Sequence, residues 1–174
     1  DPRSNEAGIK FFLIGVLSTA VMLYGMSLIY GLTGSLNLAE IGRVLAEPLP
    51  QGRETLALAS ILFIVAGFAF KVSAVPFQFW APDTYEGSPV PVAAFLATAS
   101  KAAGFAGLLQ LMFVAFPAQY EFWTPIFAVL SILTMTIGNI AAIAQTNVKR
   151  MLAYSSIAHS GYVLIGIVAG GAPG

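Results

Sequence analysis

Five long apolar stretches, separated by shorter polar segments, dominate the pattern of the chain. They cover about residues 9–30, 55–76, 89–116, 122–144 and 149–168. The hydrocarbon core of a bilayer is about 30 Å thick, and a helix needs about 20 apolar residues to cross it. The pattern therefore predicts an all-α, polytopic membrane helix bundle with about five transmembrane helices, forming a single membrane domain.

A shorter amphipathic segment, residues 35–47, follows the first stretch. Its apolar residues recur at helical spacing. Asn37 followed by Glu40 resembles a helix capping box, and Pro48 cannot continue a helix. We therefore predict a short helix that lies at the membrane interface.

The second apolar stretch is longer than one crossing requires. It contains Lys71 and, five residues later, Pro76, and the segment as a whole reaches about residue 86. Proline has no N–H to bond the carbonyl four residues earlier, here that of Val72. Either the helix is broken near Pro76 and continues beyond the break to about residue 86, or it ends there and a folded loop follows. We predict the broken helix.

Two lysines lie within the apolar stretches, Lys71 beside the predicted break and Lys101 in the middle of the third stretch. An ammonium at the bilayer centre costs at least about 2.5–3.5 kcal/mol on insertion scales. Lys101 is too far from either helix end for its side chain to reach the membrane surface. Lys71 could also cap carbonyls freed at the break, a role that is compatible with proton transfer. Because burial favours the neutral amine over the ammonium, we interpret both lysines as stations on a proton path.

His159 lies ten residues into the fifth stretch, and histidine is the side chain that ordinarily titrates near neutral pH. A buried histidine is commonly a structural residue, and the sequence leaves that alternative open. The candidate proton-transfer residues are thus Lys71, Lys101 and His159. Hydroxyl groups that could support them are those of Ser100, Ser155, Ser156 and Ser160.

Two acids, Asp83 and Glu86, lie in the turn between the two lysines. Neither is next to Lys101 in the sequence, so we expect them mainly to hold the turn. Trp80 and Trp123 are typical of the aromatic belts at membrane interfaces.

Composition supports a membrane protein and excludes several functions. Of 174 residues, 57% are hydrophobic and 9% are charged, whereas soluble domains carry about 25% charged residues. Eight basic and eight acidic residues give no net charge, so no basic surface for nucleic acid is expected. The chain has no cysteine and one histidine, and it has no glycine-rich nucleotide-binding motif. We expect no catalytic residue, no metal site and no cofactor site in this chain.

Loop charges indicate an orientation. Of the basic residues near the predicted ends of the helices, four fall on the side of the N-terminus (Arg3, Lys10, Lys149, Arg150) and two on the other side (Arg43, Arg53). Basic residues are enriched on the cytoplasmic side, which favours a cytoplasmic N-terminus. The first residue is not methionine, and the polar start is expected to be an internal point of a longer chain.

The stretch FKVSAVPFQFWAPDTYEGSPVPVAAFLATASKAAGF resembles the subunit N family of respiratory complex I, the proton-translocating NADH:quinone oxidoreductase. The resemblance continues through LYGMSLIYGLTGSLNL and NVKRMLAYSSIAHSGY, and thus over nearly the whole chain. The related subunits L and M and multisubunit cation/proton antiporters have a similar spacing of the lysine, the proline, the tryptophan and the PD pair.

The resemblance implies an antiporter-like fold of two inverted five-helix repeats, each with one broken helix. This chain would hold the last three helices of the first repeat and the first two of the second. Lys71 then matches the lysine of the broken helix, with Pro76 at its break, and Lys101 matches the lysine on the central axis. The family's acidic partner of the first lysine and the charged residue of the second repeat lie outside this sequence.

The function that the resemblance implies is proton translocation coupled to electron transfer in other subunits, which would hold NADH, FMN, iron–sulfur clusters and quinone. The expected partners are other membrane subunits of complex I and the lipid bilayer, in a bacterial inner membrane or an equivalent energy-transducing membrane. The alternative is a subunit of a multisubunit cation/proton antiporter, without a redox partner.

Overall fold

The computed structural model describes residues 2–50 and 52–170, and throughout these residues the regular secondary structure is helical. Five of its helical segments are long and apolar enough to cross a membrane. They are Ser4–Thr33, Arg53–Lys71, Val90–Ala115, Pro117–Ile143 and Val148–Ala169. The all-α bundle with five spanning segments is thus as predicted.

Within the described residues, eight α-helices build these segments and their connections. In chain order they are α1 (Pro2–Thr33), α2 (Leu38–Ala46), α3 (Arg53–Lys71), α4 (Trp80–Gly87), α5 (Val90–Phe95), α6 (Lys101–Gln110), α7 (Tyr120–Ile143) and α8 (Val148–Ala169). Two π-helical segments, Leu96–Ser100 and Leu111–Ala115, join α5 to α6 and extend α6, and a 3₁₀ turn, Pro117–Gln119, leads into α7.

The short helix α2 forms where the amphipathic pattern predicts it. Asn37 is its N-cap, and the side-chain oxygen accepts bonds from the N–H groups of Ala39 and Glu40. The reciprocal half of a capping box is absent at this end, because Glu40 bonds the hydroxyl of Ser35 instead. The buried residues Ile41 and Leu45 of α2 join the core.

The helix α3 ends at Lys71, and the predicted interruption is present. Ser73 has a φ of +59°, and its N–H bonds the carbonyl of Phe70 while the N–H of Ala74 bonds that of Ala69. These bonds and the left-handed residue form a Schellman C-cap. The cap is complete before Pro76, so the helix does not end for the reason predicted, the loss of the bond to Val72. The chain becomes helical again only at Trp80.

Buried contacts hold the segment between α3 and α4 inside the bundle. The N–H of Val75 donates to the hydroxyl of Thr134 on α7 at 2.9 Å. The indole N–H of Trp80 donates to the carbonyl of Phe70 at 3.1 Å, and the two rings lie 5.2 Å apart. The tertiary structure thus satisfies backbone groups that the end of the helix leaves free.

Helix packing sets the relative positions of the spans. The helix α1 packs against α3, and α7 packs against α8, while α4 contacts both α1 and α8. Close approach between α7 and α8 depends on two glycines, since a Cβ atom at Gly138 or Gly161 would lie within 3 Å of atoms of the facing helix.

Both tryptophans belong to the core, contrary to the expectation that they form interface belts. Trp80 and Trp123 are buried. The indole N–H of Trp123 donates to the carbonyl of Phe116 at 2.9 Å, so the polar atom that favours the interface is satisfied internally. Large apolar side chains instead cover the outer faces of the spans, for example Phe12 and Leu17 on α1 and Ile132 and Ile140 on α7.

Candidate functional site

Lys101 is the first residue of α6 and the first buried residue of its span. No residue of α5 or of the π-helical segment before Lys101 is buried, whereas Lys101, Phe105 and Leu108 form a buried face. A π-helical turn changes the helical phase of the residues that follow, and such turns are frequent at functional sites. The side chain of Lys101 is 5% exposed.

Three oxygen atoms on α8 accept hydrogen bonds from the Lys101 ammonium. Nζ lies 3.0 Å from the Ser156 carbonyl oxygen, 2.8 Å from the Ser156 hydroxyl and 3.2 Å from the Ser160 hydroxyl. An ammonium has three N–H donors, and each has an acceptor here. The ion pairs found within residues 2–50 and 52–170 include none to Lys101. The charge is therefore solvated by neutral oxygens and has no acidic partner in the described part of the chain.

Lys71 occupies a different environment. It is the last residue of α3, its side chain is exposed, and with Phe70 it borders a largely apolar cavity of about 490 Å³ whose other lining residues are on α1. The helix of Lys101 passes close by: a Cβ atom at Gly104 would lie 3.6 Å from the Cβ of Lys71. The two lysines thus lie on facing helices, about one helical turn apart along α6.

His159 faces away from Lys101, on an exposed face of α8. Its Nδ1 lies 2.7 Å from the carbonyl oxygen of Ser155, and its ring packs edge-on against Tyr162 at 5.7 Å. The structure brings Lys101, Ser156 and Ser160 together. It does not bring His159, Ser100 or Ser155 into that cluster.

A group of charged residues that sequence reasoning did not connect lies at the end of α4. Asp83 accepts from Lys10 at 2.9 Å and from Arg150 at 2.7 Å, and Glu86 accepts from Arg150 at 3.0 Å. We call Lys10, Asp83, Glu86 and Arg150 the charge cluster. It lines a cavity of about 230 Å³. The two acids therefore tie α4 to α1 and α8, a wider role than holding their own turn. In the sequence, the i, i+3 spacing of Asp83 and Glu86 was the feature that could have indicated this cluster.

Asp83 lies on α4, outside the five spanning segments. Burial raises the pKa of its carboxyl group, but hydrogen bonds and charges from Lys10 and Arg150 outweigh this effect, so the pKa lies below its usual value. Asp83 is therefore ionised at neutral pH and provides a negative charge in the lining of this cavity.

Tyr85 is a buried polar residue that sequence reasoning did not single out. It lies on α4 between the two acids and is 4% exposed. Its buried hydroxyl has no hydrogen-bond partner among the described residues. Burial raises the pKa of Tyr85 to about 12, so the phenol is neutral at physiological pH.

Comparison with known proteins identifies the family. A family model described as "NADH:quinone oxidoreductase/Mrp antiporter, TM" matches residues 1–174. The chain belongs to this family. The described part of the chain contains no group of three or more metal-binding side chains that could hold a metal ion.

Individual relatives place the chain within this family. It is 52% identical over 168 residues to NADH-quinone oxidoreductase subunit N of Moorella thermoacetica, a match that covers 97% of this chain and 35% of that protein. The chain thus spans about a third of the length of the curated relatives it matches. The match supports the predicted resemblance to the subunit N family, and the chain is an integral membrane protein.

Two solved structures bear on the fold. A chain of respiratory complex I from Thermus thermophilus with bound aureothin matches with a TM-score of 0.79 and 42% identity, covering 99% of this chain and 36% of that one. A chain of the Mrp complex from Dietzia matches with a TM-score of 0.84 at 22% identity, covering 94% and 29%. The second similarity concerns the fold alone, and the predicted antiporter-like fold class is confirmed.

Proposed function

We propose that this chain is part of subunit N of a proton-translocating NADH:quinone oxidoreductase, and that it carries protons while other subunits carry electrons. The observation that carries the proposal is the position of Lys101, an ammonium in the middle of a spanning segment that is held by three neutral oxygens. The subunit N name of a relative at 52% identity supports the same assignment.

The environment of Lys101 suits a group that exchanges a proton. A lysine held by a fixed carboxylate keeps its proton, whereas neutral oxygens stabilise the ammonium less strongly. The hydroxyls of Ser156 and Ser160 accept from the ammonium and can donate to the neutral amine, since a hydroxyl has one donor and two acceptor sites. The hydroxyls of Ser156 and Ser160 can therefore bond Lys101 in both of its protonation states.

We assign a connecting role to Lys71 and leave His159 as a candidate for an adjoining step. Lys71 lies at the C-terminus of α3, where the partial negative charge of the helix dipole favours a cation. Its neighbour Gly104 lies one turn from Lys101 on α6. His159 faces outward, so it would take part only if another helix or subunit covers that face of α8.

The proposal extends to the wider setting of the chain. We propose that the chain is one portion of a fold with two inverted repeats, that NADH, FMN, iron–sulfur clusters and quinone are bound by other subunits, and that antiporter-like membrane subunits are its neighbours. The proposed location is a bacterial inner membrane or an equivalent energy-transducing membrane, with the N-terminal side of α1 facing the cytoplasm. The chain itself would hold no catalytic centre of the oxidoreductase.

A cation/proton antiporter subunit is the second candidate function. The Mrp complex similarity favours it, but only at the level of fold because the identity is 22%. Identities of 52% and 42% to proteins named for the oxidoreductase favour the first proposal.

Substitution of Lys101 in the full-length subunit of the assembled complex tests the proposal. We expect Lys101→Ala to reduce proton pumping by at least about tenfold, because loss of a positioned proton-transfer group costs that much or more. Lys101→Arg should also impair pumping, since arginine keeps the charge but does not release a proton. The measurement is the rate of proton uptake into vesicles per assembled complex during NADH oxidation.

Lys149→Ala is the matched control, because Lys149 is exposed on the first turn of α8. It should pump at the wild-type rate. Full pumping by the Lys101→Arg variant would show that only a positive charge matters at this position, and the proton-transfer role of Lys101 would be wrong.

A further inference from the structure

A π-helical turn, Leu96–Ser100, lies directly before Lys101 in the third span. Such a turn holds one residue more than an α-helical turn, and it is frequently found at functional sites. No residue of α5 or of this turn is buried, whereas Lys101, Phe105 and Leu108 of α6 are buried. The extra residue thus lies where a loosely held part of the span meets the part that packs into the bundle.

The place of the extra residue sets the direction of Lys101. Successive residues of an α-helix are rotated by about 100° and rise by about 1.5 Å. If the π turn moved from residues 96–100 to the next turn of the helix, Lys101 would advance by about one residue, to the direction that Ala102 has now. Ser100 would advance by the same amount, to the present place of Lys101. The helix stays continuous in both arrangements, because the extra residue is displaced and not lost.

Movement of the turn exchanges two polar side chains against α8. In the structure, Lys101 bonds the hydroxyls of Ser156 and Ser160, and Ser100 is half-buried outside this cluster. After the movement, the Ser100 hydroxyl faces the two serines, and the ammonium takes the direction of Ala102, which is exposed. A hydroxyl both donates and accepts hydrogen bonds, so the serines of α8 have a hydrogen-bonding partner in both arrangements.

We propose that the π turn before Lys101 is a conformational device that exchanges Lys101 for Ser100 at the α8 hydroxyls. The inference rests on the proposed function, proton translocation through Lys101. Movement of the turn transfers no proton by itself. It changes the groups with which Lys101 exchanges a proton, from those of α8 to those on the outer side of the span, and it makes Ser100 a positioning residue. A helix with two discrete arrangements is the kind of element on which such switches are built.

The contacts of the span permit this movement. Phe105 and Leu108 hold the rest of α6 in place, whereas the turn itself has no buried residue to release. The movement brings Ala103 towards the place of Gly104, where a Cβ atom lies 3.2 Å from Cγ1 of Val72. This valine methyl group therefore has to shift by a few tenths of an ångström, which the end of a side chain can do.

Deletion of Ala99 from the full-length subunit of the assembled complex removes the extra residue. Ala99 is exposed, and without it the span can form a continuous α-helix in which Lys101 still faces Ser156 and Ser160. We expect proton pumping per assembled complex to fall at least about tenfold, because Lys101 can no longer leave α8 and its contribution as a proton-transfer group is lost. The midpoint of thermal unfolding should not fall.

Ala99→Ser keeps the length of the chain at the same exposed position, and it should pump at the wild-type rate. Wild-type pumping by the deletion variant would overturn the proposal. Slow pumping together with a lower midpoint would indicate a packing defect and would also count against it.

Substitution of Ser100 tests the second arrangement without a change of chain length. Ser100→Leu places an apolar side chain against the α8 hydroxyls in that arrangement alone, so we expect pumping at least about tenfold slower than in the wild type. Ser100→Thr keeps the hydroxyl and should restore most of the rate. Ala99→Leu puts the same apolar side chain on the exposed neighbouring residue and should pump at the wild-type rate. Equal rates for Ser100→Leu and Ala99→Leu would overturn the exchange of Lys101 for Ser100.

The Lys101 variants separate this proposal from the function on which it rests. If Lys101→Ala pumps slowly while the Ala99 deletion and Ser100→Leu pump at the wild-type rate, proton transfer through Lys101 stands and the moving turn is wrong. Wild-type pumping by the Lys101 variants would instead overturn the underlying function.

Discussion

At the scale of single residues, the site depends on how α8 presents its hydroxyl groups to Lys101. Ser156 and Ser160 are four residues apart and therefore lie on one face of the helix, where both accept from Nζ. Ser155 points elsewhere. The sequence predicted the importance of Lys101 from its cost in hydrocarbon, but it could not choose among four serines, because that choice depends on how α6 and α8 are rotated.

Ser156→Ala tests this choice. It removes one of the three acceptors of Lys101 and leaves the carbonyl oxygen of residue 156 in place. A hydrogen bond to a charged group contributes about 1.5–3 kcal/mol, so we expect a severalfold or greater loss of pumping in the assembled complex. Ser27→Ala on α1, where the hydroxyl bonds an exposed carbonyl, is the control and should have no effect. Equal pumping by both variants would show that Ser156 does not assist Lys101.

At the scale of elements, the end of α3 is the feature that the sequence predicted with the wrong cause. Lysine followed by proline indicated a break, and the break is present. Its cause is the left-handed conformation of Ser73 and the two bonds of the Schellman cap. A serine at this position gives no sequence signal of the kind that glycine would give, since glycine is the usual residue in a left-handed C-cap.

Ser73→Gly should therefore stabilise the subunit. The left-handed conformation costs an L-residue about 1–2 kcal/mol, and glycine adopts it freely. The substitution also removes a buried hydroxyl that has no partner within the described residues. Glycine loses more backbone entropy on folding, so we expect a net gain of about 1 kcal/mol, measured as a higher midpoint of thermal unfolding in detergent. Ser73→Val, which is β-branched, should lower the midpoint.

The helix α4 is held by ion pairs that the composition could not reveal. The sequence shows Arg150 only as one of the loop charges that indicate an orientation, yet it donates to both Asp83 and Glu86. Basic residues at the start of a membrane span are ordinary, so only the folded structure distinguishes a free arginine from one that bonds two acids of another helix.

Arg150→Gln tests the contribution of these ion pairs. It leaves two partly buried carboxylates with fewer donors, and we expect a loss of about 1–3 kcal/mol in the free energy of unfolding. Thermal unfolding of the purified subunit gives the measurement. Arg43→Gln serves as the comparison, because Arg43 forms only a 3.9 Å ion pair between exposed side chains, and such pairs contribute little. Equal midpoints for the two variants would contradict a stabilising role of the charge cluster.

At the scale of the whole molecule, hydropathy was sufficient to predict the number of spanning segments and their helical class, because a bilayer restricts spanning segments to a narrow range of length and composition. Hydropathy could not predict which faces of the helices pack against each other. The small residues that allow close packing are spread over several spans, and only the structure shows which of them contact a neighbouring helix. The buried tryptophans were misassigned for the same reason, since a tryptophan that bonds an internal carbonyl has the same sequence signature as one at the interface.

Glycine packing between α7 and α8 connects the overall arrangement to the site, because α8 carries Ser156 and Ser160. A Cβ atom at Gly161 would lie 2.6 Å from the Cγ of Met135 and 2.8 Å from its backbone nitrogen. The backbone cannot give way cheaply, so Gly161→Ala should cost about 1–3 kcal/mol of stability and displace α8 from Lys101, which would slow proton pumping. Gly166→Ala on the same helix meets nothing within 4 Å and should be neutral or stabilising by up to about 1 kcal/mol. Thermal unfolding and proton pumping are measured for the two variants side by side. If Gly161→Ala matched Gly166→Ala in both measurements, this view of the α7–α8 contact would be contradicted.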